Sequence, residues 1–168
     1  MAKKVNSSAP SRKLMSRTEL LERLKEDRAR GRSVVFTNGC FDLLHPGHIK
    51  LLKFSKLKGD VLVVAINTDD SVRRLKGPAR PILGEKDRAT ILSALQYVDY
   101  VTLFSEDTPI ELLKLVRPDV LIKGSDYTRD KVVGHELVES YGGRVELVQL
   151  KKGISTTELV RRLAREKR

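Results

Sequence analysis

From Val34 onward the apolar positions alternate between two rhythms. Short runs rich in β-branched residues occupy Val34 to Phe36, Val61 to Ile66, Val98 to Leu103, Val120 to Ile122 and Val145 to Leu150, the length and composition of buried strands. Helical spacing fills the intervals: Ile49 to Lys58, closed by Gly59; Lys86 to Gln96, with Ile91, Leu92 and Leu95 on one face; and Pro109 to Val116, closed by Pro118. The last of these has a start signal, with Thr108 as N-cap, Pro109 at N1 and Glu111 at N3. Another helix is predicted from about Val132 to Tyr141, before Gly142 and Gly143. Strands alternating with helices imply right-handed crossovers and a mostly parallel sheet covered on both faces, an α/β, Rossmann-like class.

Ahead of Val34, Ser16-Arg17-Thr18-Glu19 has capping-box spacing before Leu20, Leu21 and Leu24, which predicts a short helix ending near Gly31. The expected organisation is a basic, disordered tail over 1–16 and a single domain over 17–168, with 17–30 as an appended helix. The full length of 168 residues suits one such domain without disulfides or a structural metal. The single cysteine, Cys40, cannot form an internal disulfide, and no apolar run approaches the roughly 20 residues that span a bilayer. A cytoplasmic protein with no membrane partner is expected.

The net charge of +11 suggests a nucleic-acid binder until it is located along the chain. Residues 1–32 carry ten Lys/Arg against four Asp/Glu, 151–168 carry seven against two, and 33–150 carry sixteen of each. The body is neutral and the ends are basic. With four Tyr, four Phe and no Trp there are few platforms for stacking bases, so nucleic acid is not the expected partner.

In sheets of this class, ligands sit beyond the carboxyl ends of the strands. The first strand runs there into Thr37-Asn38-Gly39-Cys40-Phe41-Asp42-Leu43-Leu44-His45-Pro46-Gly47-His48, which delivers two histidines to the start of a helix. Neither glycine-rich phosphate motif, G-x-G-x-x-G nor G-x-x-x-x-G-K-[ST], occurs. A helix N-terminus offers unpaired N–H groups and positive partial charge, to which imidazoles add hydrogen bonds, and Gly47 leaves room between them. Ordinary turn histidines, or two ligands of a metal site, are the competing readings. The metal reading lacks a third ligand, because Cys40 is isolated and His135 lies far downstream.

The His45-Pro46-Gly47-His48 motif, followed at the far end by Ile154-Ser155-Thr156-Thr157, resembles the cytidylyltransferase-like nucleotidyltransferases of the HxGH type. Within them the chain is most similar to the D-glycero-β-D-manno-heptose 1-phosphate adenylyltransferases of lipopolysaccharide core synthesis. That similarity includes Thr37 to Asp42, Arg74 to Gly77 with Arg80-Pro81, Glu106 to Pro109, and Pro118-Asp119 followed by Lys123 to Tyr127. The resemblance implies transfer of AMP from ATP, carried with Mg²⁺, to a sugar 1-phosphate. It also implies a homodimer.

On that resemblance His45 and His48 contact the triphosphate and the transition state, and Lys76 and Arg88 add positive charge. Asn38, Gly39, Cys40, Phe41, Asp42, Gly47, Lys123, Gly124, Asp126, Ser155, Thr156 and Thr157 are implied as nucleotide-binding residues, with the region from Lys123 to Tyr127 contacting the nucleotide or the acceptor. Several have plainer readings. Ser155 with Glu158 has capping-box spacing, Asp42 orients the motif, approaches Mg²⁺ or caps a turn, and Cys40 is a small packed residue. Lys76 to Pro81 is either a mobile cationic loop or a solvated one.

The related glycerol phosphate cytidylyltransferases carry Arg-Thr-x before Gly-Ile-Ser-Thr-Thr, where this chain has Leu150-Lys151-Lys152. That departure disfavours the cytidylyl reading. No kinase domain precedes the motif, so a stand-alone form is expected. The alternatives are a transferase for another small phosphorylated acceptor, such as glycerol 3-phosphate, and a non-catalytic basic adaptor for polyanions.

Overall fold

All five apolar runs become parallel strands of one sheet, β1 (Val34–Gly39), β2 (Val61–Asn67), β3 (Tyr100–Phe104), β4 (Val120–Gly124) and β5 (Arg144–Val148), in the order β3-β2-β1-β4-β5. The computed structural model describes residues 13–124 and 128–149 together with Thr156, Glu158 and Val160. Among the described residues, the strands are accompanied by the α-helices α1 (Arg17–Ala29), α2 (Pro46–Lys56), α3 (Asp69–Lys76), α4 (Glu85–Ser93), α5 (Ile110–Val116) and α6 (His135–Ser140). Among the described residues, no helix is long and apolar enough to cross a membrane.

The period-2 alternation of each strand divides the core in two. Val34, Phe36, Val63 and Ala65 face one layer with Leu20 and Leu24 of α1, Leu112 and Leu113 of α5, and Val138 of α6. Val35, Leu62, Val64 and Ile66 face the other with Leu51 and Leu52 of α2 and Ala89 and Leu92 of α4. Every residue of β2 is buried, as expected of a central parallel strand covered on both sides.

Several sequence expectations need correction. The helix expected as an appended arm is part of the core, with Leu20 and Leu24 fully buried and Tyr100 donating to Asp27 at 2.9 Å. Its predicted capping box is present. The segment before it is not all tail, since Leu14 bridges to Val101 and Met15 N donates to Val101 O at 2.9 Å. Residues 1–12 lie outside the described residues.

α2 starts at Pro46, ahead of the expected Ile49, because His45 is its N-cap. α5 starts at Ile110 with Pro109 in the N-cap position and no side-chain cap, so the expected Thr108 cap is not formed. α6 is shorter than expected because Gly134, at φ 93, breaks the helix before His135. α3 has no counterpart in the sequence pattern. It is capped by Thr68, carries Asp69 and Asp70 in its first turn and stops at Gly77, at φ 92. Lys76 is therefore its last residue rather than part of a loop.

Candidate nucleotide site at the switch point

The strand order reverses between β1 and β4, and the crevice outside their carboxyl ends is where doubly wound sheets bind ligands. β1 ends there in Asn38 and Gly39, and Phe41 then takes a left-handed conformation at φ 47. Buried side chains hold this turn. Asp42 accepts from Ile82 N at 2.7 Å, from Leu83 N at 3.1 Å and from the Arg80 guanidinium. Both of its oxygens are thus occupied by the 77–84 connection, which ties that segment to the motif. Arg88 of α4 lies beneath, its side chain 0% exposed. It donates to Cys40 O (2.5 Å), Asn67 O (2.9 Å), Leu83 O (3.0 Å) and Asp69 Oδ1 (2.7 Å). Its charge is spent inside the protein on three carbonyls and one carboxylate.

The two histidines form an unusual capping box. His45 Nδ1 accepts from Gly47 N at 3.1 Å, and His48 Nδ1 accepts from His45 N at 3.3 Å. The rings lie 3.9 Å apart and 31° from parallel, and Phe41 packs against His48 with centroids at 5.1 Å. A neutral imidazole that accepts at Nδ1 carries its proton on Nε2, so both rings present an Nε2–H donor away from the backbone. Burial, then the neighbouring charges of His45 and Lys76, push the pKa of His48 down to about 4. Burial also lowers that of His45. α2 has no acidic residue in its first turn, whereas every other described α-helix has one. Its N-terminal partial charge is left for an outside anion.

These elements open onto a cleft of about 450 Å³. Of the residues singled out from the sequence, Asn38, Gly39, Cys40, Phe41, Asp42, His48, Lys76, Lys123, Gly124 and Thr156 line it together. His45 and Gly47 stand beside them at the start of α2, while Arg88 lies outside the lining. Thr156 Oγ1 donates to Leu43 O at 3.3 Å, which brings this one hydroxyl to the loop before the histidines. Asp126, Ser155 and Thr157 lie outside the described residues.

Asn67, Leu75, Thr108, Pro109, Val132 and Val133 also line the cleft and were not foreseen. Asn67 could have been, as the polar residue ending an apolar strand. Among the described residues, no group of three or more His, Cys, Asp or Glu side chains could hold a metal ion. Asp42, the carboxylate considered for Mg²⁺, already serves three donors.

Residues 36–162 match the cytidylyltransferase-like family. The chain is 56% identical over 151 residues, 90% of its length, to the bifunctional protein HldE of Syntrophotalea carbinolica, and 60% identical over 131 residues, 78% of its length, to that of Gluconobacter oxydans. It spans 31% and 27% of those two relatives. A solved lipopolysaccharide core biosynthesis protein from Thermoplasma volcanium is 35% identical, with a TM-score of 0.60 over 74% of this chain and 100% of that one. The pantoate-β-alanine ligase of Francisella tularensis shares the fold at 15% identity and a TM-score of 0.59, covering 88% of this chain and 75% of its own.

Proposed function

The chain belongs to the cytidylyltransferase-like family, and on that premise we propose that it is a cytoplasmic nucleotidyltransferase moving AMP from ATP to a sugar 1-phosphate. The foremost acceptor is D-glycero-β-D-manno-heptose 1-phosphate, giving ADP-heptose and pyrophosphate for lipopolysaccharide core synthesis. Support for the sugar comes from the subfamily motifs and from the names that the HldE and core biosynthesis relatives carry.

One observation carries the reaction class. Two neutral imidazoles, fixed in the Nε2–H tautomer, head a helix with no acidic first turn, beside Lys76 and Thr156. An oxygen of the acceptor phosphate attacks the α-phosphorus, the bond to the β-bridging oxygen breaks, and pyrophosphate leaves with the electron pair. The nucleophile is already an anion, so no general base is needed. What the protein supplies is alignment and preorganised donors for charge that grows on equatorial and leaving oxygens. Mg²⁺ enters, on this reading, as part of the nucleotide substrate.

The test is pyrophosphate release over four nucleotides and several sugar 1-phosphates, with His45→Ala and His48→Ala as controls. ATP with heptose 1-phosphate should lead. Release that favours CTP with glycerol 3-phosphate would move the chain to another branch of the family, and no release with any pair would remove the transferase reading.

A further inference from the structure

A second cation lies in the same cleft with its bonding incomplete. Lys123, near the carboxyl end of β4, donates from Nζ to Asn38 O at 3.0 Å. An ammonium has three N–H donors, and among the described residues no carboxylate forms an ion pair with this one. Burial pushes its pKa down to about 8, against an opposing pull from Cys40. The side chain of Asn38 is incomplete too, because its Oδ1 is buried without a partner among the described residues. A buried cation short of counter-charge and a buried acceptor short of a donor are both costly, and both border the cleft. A single ligand that brings an anion and a neighbouring hydroxyl completes both.

Resting on the transferase reading, we propose that Lys123 and Asn38 form the acceptor subsite. The ammonium takes the phosphomonoester of the sugar 1-phosphate, and Asn38 Oδ1 accepts from a hydroxyl of the sugar ring. Charge counting favours the acceptor here over the nucleotide. The wall formed by His45, His48, Lys76, Thr156 and the start of α2 offers several donors, which suits a triphosphate. Lys123 offers one charge, which suits one phosphomonoester. A phosphate chain consists of acceptors only and leaves Asn38 Oδ1 unsatisfied, whereas a sugar 1-phosphate has a hydroxyl on the carbon next to its phosphate. In-line attack requires the two phosphates to approach within about 3–3.5 Å, and the shared lining by His48, Lys76, Lys123 and Thr156 allows that.

Steady-state pyrophosphate release with ATP and heptose 1-phosphate varied separately provides the test. Losing a hydrogen bond to a charged group should raise the KM for the sugar phosphate about tenfold or more in Lys123→Met, with the KM for ATP within about twofold of wild type. Lys123→Arg should recover most of the loss. In the wild type, kcat/KM for the sugar phosphate should fall as pH rises through about 8, where the free ammonium loses its proton, while Lys123→Arg stays flat. Cys40, Asp42, His48, Lys76 and Asp107 face the same cleft and are common to both proteins, so the difference isolates Lys123. Should Lys123→Met fail to fold, Asn38→Ala decides, with a raised KM for the sugar phosphate alone. A raised KM for ATP instead, or an unmoved KM for the sugar phosphate in an active enzyme, overturns the subsite. A wild type that releases no pyrophosphate fails earlier and takes the transferase reading with it.

Discussion

Gly47 has no room for a side chain, because a Cβ there would lie 2.9 Å from Cε1 and Nδ1 of His45. The imidazole folds over the glycine to reach its N–H, so the two residues set each other's geometry. Alanine is the better helix former by about 1 kcal/mol, which offsets the crowding. Gly47→Ala should therefore change unfolding stability by less than about 1 kcal/mol while lowering kcat/KM for ATP at least about tenfold, as urea unfolding and initial rates would show. His48→Ala should cost about 3 kcal/mol of transition-state stabilisation with the fold retained.

The imidazoles can also be watched directly. Nitrogen NMR should find both in the Nε2–H tautomer, with His48 neutral down to about pH 4. Its folded pKa lies below the ordinary 6.5, so the unfolded chain takes up the proton first as pH falls. Its contribution to stability is complete above pH 6.5 and is lost between there and about pH 4. His48→Asn should flatten that part of the urea-midpoint curve relative to wild type, and an equal pH dependence in both proteins would contradict the assignment.

Among the elements, the connections around the site differ most from what the sequence suggests. Arg88 looks like a phosphate cation in the sequence, and only the packed loops show its guanidinium joined to Cys40 O, Leu83 O, Asn67 O and Asp69. Arg88→Met should destabilise the fold by about 3–5 kcal/mol, because Asp69 and the carbonyls lose their buried partner. A stable Arg88→Met with impaired ATP binding would restore the catalytic reading. α1 looks like an arm because charged residues surround its two core leucines. Leu24→Ala should nevertheless cost about 2–5 kcal/mol by urea unfolding, whereas a true appendage would lose almost nothing. α3 is not legible in the sequence because its apolar residues are few, with Val72 buried and Leu75 49% exposed. The strands were legible throughout, since burial on both faces writes a continuous apolar run, and their ends moved by only a few residues.

At the scale of the whole molecule, the β3-β2-β1-β4-β5 order turns separate stretches of sequence into one cleft. The His45 to His48 turn was legible because its chemistry is contiguous, and Lys76, Lys123 and Thr156 were legible through family resemblance. Their convergence was implied by that resemblance alone and is not written in composition or spacing, since it depends on which strands neighbour β1. Nor are the tautomers, which depend on backbone donors three residues or fewer away, nor the unsatisfied Asn38 Oδ1. The crystal structure of the protein with a non-hydrolysable ATP analogue bears most directly on all of this. The triphosphate oxygens are predicted within about 3.2 Å of Nε2 of both His45 and His48. A triphosphate bound elsewhere, for example in the surface hollow between Asp69 and Asp87, with both imidazoles facing solvent, would contradict the account.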